Sequence, residues 1–345
     1  MAIRKFMISL FIYIPVSLFA QNQTMQVAGV TRNYIVHAPS GINNPPLVFN
    51  IHGYNMDAAT QQSYTQMDKV ADREKFIVVY PNAINKSWDL SGNNDFNLIM
   101  AIIDTIDKKY HIDRNRIYSC GFSQGGFMTF QLACRYSDIF AAIAPTSGNL
   151  SGNCTLRRPM SMRLTFGTNE GFSGGTAAFM ENVTKWLDKC NCPKTPVVTR
   201  PYPSTNPNSL VTRLYYGPCD QGTEVVADSI RTGGHEWPMN TRDRINNSEE
   251  SWAFLKKFSL ETTSVDKKTV YLVQTERSAS YSSGVVHLKG IKDKCPVRVV
   301  DINGRLVTSA LVKQGQFTFR DGVSGIYMLL IGENNKPEAL KIVIP

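Results

Sequence analysis

The stretch 116–128 limits what this chain can fold into more than any other. Residues 117–120 (IYSC) have the pattern of a short strand, and 127–134 (FMTFQLAC) read as a buried helix. Between them Gly121-Phe122-Ser123-Gln124-Gly125-Gly126 fits G-x-S-x-G. Where that pattern joins a strand to a helix, the serine stands on a sharp, strained turn. The glycines two positions before and after it leave room where side chains would collide. The helix start behind Ser123 also aims backbone N–H groups at negative charge developing there. Ser123 is thus a candidate nucleophile, with an ordinary tight turn as the alternative, and the rest of the chain must supply its partners.

Taken in order, apolar runs at 32–37, 46–52, 76–80, 140–144, 162–166, 210–216 and 225–230 read as further strands. Helical patterns fall at 61–74, from Phe96 to Tyr110, at 175–190 and at 248–258. Phe96, Ile99, Ile102, Ile103, Ile106 and Tyr110 form one stripe near helical spacing, which marks a core-facing helix rather than a cofactor site. Strands alternating with helices predict an α/β fold: a mostly parallel sheet with helices on both faces. Active sites in such sheets gather at the carboxyl ends of the strands, where Ser123 falls.

The same ends carry the other candidates. The run 46–52 stops at His52-Gly53-Tyr54, and the backbone N–H of Tyr54 is a candidate oxyanion donor beside that of Gln124. A plain strand-to-loop turn is the alternative there. Strand 162–166 leads into a turn holding Glu170, and strand 225–230 leads to Gly233-Gly234-His235-Glu236-Trp237-Pro238. A serine hydroxyl is a poor nucleophile unaided. His235 would take its proton during attack and return it to the leaving group. A buried carboxylate would hold the imidazole tautomer and stabilise the imidazolium. Trp88 and Trp237 are candidates to line a substrate pocket, although aromatic residues are equally expected in a core. No metal or other cofactor is called for, and no Cys/His cluster has ligand spacing.

The two ends of the chain differ from the middle. Arg4 and Lys5 precede an uncharged apolar run, 6–20, before Gln21-Asn22-Gln23 turns polar. This is the order of a secretory signal peptide at 1–20, cleaved after Ala20; the run is shorter than the roughly 20 residues a transmembrane anchor needs. The formal charge is +9; without Arg4 and Lys5, 35 basic residues face 28 acidic ones. No dense Lys/Arg run accompanies that excess, so a solvated basic surface is favoured over a nucleic-acid partner. Export permits disulfides. Seven cysteines leave at least one unpaired, and Cys120 and Cys134, on the elbow strand and helix, read as buried free thiols.

Residues 46–53 (PLVFNIHG), 110–118 (YHIDRNRIY), 121–126 (GFSQGG) and 233–238 (GGHEWP) together resemble the secreted polyhydroxybutyrate-depolymerase-like and feruloyl or acetyl-xylan esterase branch of the α/β hydrolases. The resemblance covers most of 31–258 and is most specific at the histidine preceding Trp237-Pro238. It implies an α/β-hydrolase catalytic domain over 21–260, with Ser123 as nucleophile and His235 as base. Family members commonly carry His-Gly-Thr-x-Asp on the acid turn, whereas this chain has Phe166-Gly167-Thr168-Asn169-Glu170. Position matching makes Glu170 the acid, with Asp220 and Asp228 as alternatives. The resemblance also implies a Cys192–Cys219 bridge.

Residues 261–280 form a polar Ser/Thr-rich linker pattern, followed by short β-type runs through 281–345. Residues 301–307 (DINGRLV) and 325–327 (GIY) resemble the C-terminal sorting domain of the type IX secretion system. The alternative for this small all-β domain is an accessory carbohydrate-binding sandwich. Together these features predict a secreted, extracellular or surface-attached serine esterase. Its partners would be a polymeric ester substrate, feruloyl or acetyl groups on plant polysaccharide, and the secretion machinery. A polyester depolymerase, a serine peptidase and a non-catalytic surface-binding protein are the other readings.

Overall fold

The computed structural model describes residues 21–172, 174–239, 242–260, 278–301, 306–319, 324–332 and 338–344. The leader expected at 1–20 and most of the linker lie outside these residues, as do 302–305 of the tail motif. The chain divides into two compact units, described by residues up to 260 and from 278. Among the described residues no helix is long and apolar enough to cross a membrane.

The first unit is built on one ten-stranded sheet. In chain order its elements are β1 (Gln21–Val27), β2 (Val30–His37), β3 (Leu47–Ile51), α1 (Ala58–Thr65), α2 (Met67–Glu74), β4 (Ile77–Pro81), α3 (Asn94–Tyr110) and β5 (Ile117–Phe122). There follow α4 (Gln124–Tyr136), β6 (Ala142–Thr146), β7 (Ser161–Gly167), α5 (Gly175–Lys189), β8 (Val197–Thr199), β9 (Val211–Tyr216), β10 (Val225–Ile230) and α6 (Asn247–Leu255). The strand order is β1-β2-β4-β3-β5-β6-β7-β10-β9-β8. The six central strands run parallel, and an antiparallel pair closes each edge.

The parallel strands are buried on both faces, so successive side chains enter two different cores. Leu47, Phe49, Ile51, Ile77 and Val79 pack on one side with residues of α3, α4 and α5, including Phe96, Met128 and Trp186. Val48, Val78 and Tyr80 pack on the other with α1, α2 and α6, through Ala58, Val70 and Trp252. Each large apolar side chain so buried contributes about 1.5–3 kcal/mol.

Three local features differ from the sequence pattern. The helix expected over 61–74 is two helices, because Gln66 adopts φ 50° and its N–H caps α1 by donating to Gln62 O. The edge strands β1 and β8 carried no clear strand signal: both are largely exposed, so neither has the apolar period of an inner strand. Cys134 is bonded to Cys154, with Cα atoms 5.0 Å apart, and is not a free thiol. It lies near the end of α4, where the helix meets the loop after β6, rather than on the strand side of the core. Cys192 and Cys219 form the second disulfide, while Cys120 and Cys190 are free and buried.

The second unit contains β11 (Ser278–Ser282), β12 (Val285–Lys289), β13 (Pro296–Asp301), β14 (Leu306–Leu311), β15 (Gln316–Thr318), β16 (Gly325–Ile331) and β17 (Glu338–Ile344). They form antiparallel sheets of order β11-β12-β15 and β14-β13-β16-β17. Alternation puts Val286 and Leu288 of β12, Val297 and Val299 of β13, and Leu329 and Ile331 of β16 into one apolar core.

Candidate active site

Ser123 joins β5 to α4 with φ 56° and ψ −120°, a conformation a residue with a side chain rarely adopts. Its neighbours hold it there. The Ser123 N–H donates to Thr146 O at the end of β6 (2.9 Å), and the Gly126 N–H donates to Ser123 O (2.8 Å). The glycines are required by proximity. A Cβ on Gly121 would lie 2.4 Å from Gly125 O, and one on Gly125 would lie 2.1 Å from Ile51 O. Only bare backbone lets α4 start this close to β3 and β5.

The acid and histidine turns are held against each other. Thr168 N–H donates to Ile230 O (2.9 Å), Asn169 N–H to Gly233 O (2.9 Å), and Thr232 N–H to Thr168 Oγ1 (2.9 Å). A side chain on Gly167 would lie 2.2 Å from Gly233 O. This stitching follows from the parallel pairing of β7 and β10, which end at the same level. Glu170 and His235, 65 positions apart in the chain, are thereby brought into contact.

His235 Nδ1 lies 2.7 Å from Glu170 Oε1, and His235 Nε2 lies 2.8 Å from Ser123 Oγ. With Glu170 ionised, Nδ1 donates to the carboxylate, which leaves the Nε2 lone pair to accept the serine proton. The Glu170 side chain is fully buried, and its Oε2 has no hydrogen-bond partner among the described residues. Two rings adjoin the imidazole, with centroids at 4.8 Å for Phe122 and 5.0 Å for Phe172. Phe122 is buried, whereas Phe172 is 84% exposed.

The turn after β3 also reaches the serine. A Cβ on Gly53 would be 3.2 Å from Ser123 Cβ, so the Gly53–Tyr54 backbone borders the serine directly. Gln124 is the first residue of α4, whose opening N–H groups have no intrahelical acceptor. Among the described residues, neither the Tyr54 N–H nor the Gln124 N–H meets an acceptor. His52 lies fully buried behind this turn. Burial pushes its imidazole below the ordinary histidine value, favouring the neutral ring.

The two alternative acids lie elsewhere. Asp228 is fully buried within β10 and accepts from Arg163 Nε (2.8 Å) and from Arg213 Nε (2.7 Å). Burial opposes its ionisation, but the two guanidinium groups outweigh that and hold its pKa below the ordinary carboxylate value. Asp220 sits in the turn after Cys219 and accepts from Asn191 Nδ2 (3.2 Å). Neither carboxylate bonds to His235.

The tryptophans are a correction. Trp88 is 4% exposed and Trp237 is 1% exposed, so neither lines an open pocket. Each indole N–H is used inside the fold: Trp88 Nε1 donates to His52 O (2.8 Å), and Trp237 Nε1 donates to Ser248 Oγ (3.1 Å). A buried ring whose one donor is satisfied internally is a packing group. The exposed aromatic residues near Ser123 are instead Tyr54 and Phe172, at 67% and 84%. Phe172 was not singled out from the sequence; its one signal was an apolar ring set in a glycine-rich loop just after Glu170.

Strand order, helix placement and the serine turn together define a protein of the α/β-hydrolase fold carrying a hydrogen-bonded Ser–His–Glu constellation. The acetyl xylan esterase from Aspergillus awamori shares this fold, with TM-score 0.55 and 15% identity over 69% of this chain and 99% of its own. More particularly, the esterase PHB depolymerase family matches residues 32–156. The bifunctional acetylxylan esterase/xylanase of Neocallimastix patriciarum is 32% identical over 247 residues, 70% of this chain and 35% of that protein. Feruloyl esterase B of Piromyces equi is 26% identical over 260 residues, 66% of this chain and 46% of that protein. The chain therefore spans less than half the length of either relative.

Proposed function

We propose that this chain is a secreted serine esterase that removes acyl groups, of the feruloyl or acetyl kind, from plant polysaccharide. The observation that carries the reading is the continuous hydrogen-bonded path from Glu170 through His235 to Ser123, with spacings of 2.7 and 2.8 Å. Ser123 Oγ attacks the ester carbonyl while its proton passes to His235 Nε2. The tetrahedral oxyanion is stabilised by the N–H groups of Tyr54 and Gln124. Collapse breaks the ester C–O bond, and the imidazolium returns the proton to the departing alkoxide. Water, deprotonated in turn by His235, then cleaves the acyl-enzyme and releases the carboxylic acid. Glu170 holds the productive tautomer throughout and stabilises the imidazolium.

The substrate class rests on the acetylxylan and feruloyl esterase relatives, and an aromatic acyl group could contact the exposed rings of Phe172 and Tyr54. The same apolar rims could rest on a polyester, and the family matching 32–156 bears the depolymerase name, so that is the second reading. Export is supported by the leader pattern at 1–20. A role for the second unit in sorting through type IX secretion is supported by 301–307 (DINGRLV) and 325–327 (GIY).

The test is hydrolysis of methyl ferulate, acetylated xylan, polyhydroxybutyrate and a short p-nitrophenyl ester by wild type and Ser123→Ala. Ferulate or acetate release that disappears in the serine variant is the expected result. Turnover confined to polyhydroxybutyrate would favour the second reading, and a folded wild type inert on the whole panel would overturn both.

A further inference from the structure

The two oxyanion donors belong to different elements, the turn after β3 and the start of α4, yet one short hydrogen-bond network ties them together. Ala83 N–H donates to His52 Nε2 (3.1 Å). That nitrogen is therefore unprotonated, and in the neutral ring the proton must sit on Nδ1. Nδ1 lies 2.7 Å from Gly53 O and donates to it. In a trans peptide the C=O and the following N–H point in opposite directions. Gly53 O also accepts from the Met56 N–H (3.2 Å), and with the oxygen held on the His52 side the Tyr54 N–H is turned away from His52. Trp88 reaches both sides: its indole N–H donates to His52 O (2.8 Å), and its backbone N–H donates to Gln124 Oε1 (3.0 Å). The amide of Gln124 is also held, by donation to Ser87 Oγ (3.1 Å). The His52 and Trp88 rings lie 4.7 Å apart, both buried, so neither can touch a substrate bound at Ser123.

We propose that His52 and Trp88 are positioning residues that set the N–H groups of Tyr54 and Gln124 as one pre-aligned oxyanion site. This rests on the esterase reading of Ser123. A donor pair aligned before reaction costs no reorganisation as charge develops. Misplacement of reacting groups by about 1 Å costs on the order of 100-fold in rate. The network therefore bears on kcat, while ground-state binding of the substrate is left alone.

The experiment compares wild type, Ser123→Ala, Trp88→Phe, His52→Leu and His52→Asn on p-nitrophenyl acetate, with rates expressed per folded molecule. Trp88→Phe keeps an aromatic ring and removes the N–H to His52 O. His52→Leu removes both ring bonds, whereas His52→Asn restores an amide N–H near the position of Nδ1. We expect kcat to fall about 10- to 100-fold in Trp88→Phe and His52→Leu, with KM within about threefold. His52→Asn should recover part of the loss. Phenylboronic acid, which forms a tetrahedral adduct on the serine, should bind more weakly by the same factor as kcat. Folded Trp88→Phe with unchanged kcat and boronate affinity would overturn the inference, as would losses that only follow the folded fraction or appear in KM. A wild type whose turnover survives Ser123→Ala, or that turns over no ester, would overturn the esterase reading itself and the inference with it.

Discussion

Replacing Glu170 by glutamine tests the candidate acid with the least change of shape. The carboxylate stands 2.7 Å from His235 Nδ1, and its side chain is fully buried. During attack the imidazole becomes a cation beside that charge. Two unit charges at this separation interact by about 6 kcal/mol at an effective dielectric constant near 20. The imidazole is 19% exposed, so solvent takes over part of the stabilisation when the charge is removed. An amide can also turn its NH₂ toward Nδ1, which selects the tautomer with a proton facing Ser123 Oγ. These effects together give an expected loss of about 10³- to 10⁴-fold in kcat, or roughly 4–5.5 kcal/mol in the barrier. KM should change little, because Glu170 is separated from any substrate by the histidine. Steady-state hydrolysis of a p-nitrophenyl ester, with thermal unfolding run in parallel, provides the measurement. Asp220→Asn is the control and should stay within about twofold of wild type, since an exposed-turn bond to Asn191 is all it alters. A folded Glu170→Gln enzyme that keeps more than a tenth of its kcat would refute the assignment, and a loss seen in Asp220→Asn instead would transfer it.

Three further outcomes follow from the packing around the site. Gly125→Ala should destabilise the first unit by about 2–3 kcal/mol, readable in a denaturant titration, because its Cβ would lie 2.1 Å from Ile51 O. Asp228→Asn should lower stability at neutral pH by about 3–5 kcal/mol, since it leaves Arg163 without its buried counter-charge and Arg213 with Glu250 alone. The sign in pH is set by the depressed folded-state pKa of Asp228: its contribution is full above the unfolded carboxyl value and is lost as pH falls through the folded one. Acid unfolding of the variant should accordingly be shallower below about pH 4. Phe172→Ala should raise KM for methyl ferulate several-fold with a smaller effect on p-nitrophenyl acetate, because the exposed ring 5.0 Å from His235 offers contact only to a larger acyl group.

Much of the first unit was legible because its strands are continuous apolar runs and its helices carry stripes. Leu47 to Ile51 is wholly buried, and Phe96, Ile99, Ile102, Ile103 and Ile106 face the same core. Local pattern failed where burial is slight. β1 and β8 are edge strands with mostly exposed side chains, and the break at Gln66 needs a left-handed residue that no proline or glycine announces. At the site, Ser123 was marked by Gly121 and Gly125, which its crowded turn requires, and His235 by the Gly233-Gly234 pair and Trp237-Pro238 around it. Glu170 had position alone to recommend it over Asp220 and Asp228. The tryptophans misled because an aromatic residue beside a catalytic motif looks the same in sequence whether its ring meets solvent or core.

What the sequence determined by itself is the set of buried strands, the amphipathic helices and most of the turns between them. Periodicity and glycine placement are local, so they are written into neighbouring residues. What only the tertiary structure decided is which ends of those elements meet. Ser123 and His235 are 112 positions apart, and no local pattern encodes their 2.8 Å contact. It arises because β5, β6, β7 and β10 lie side by side and parallel, bringing the serine, acid and histidine turns to one edge. The same order buries Asp228 between two arginines, turns Trp88 into a brace behind the Gly53–Tyr54 peptide, and leaves Phe172 exposed beside the histidine. Strand order is a property of the whole sheet, settled by how every apolar face is covered at once.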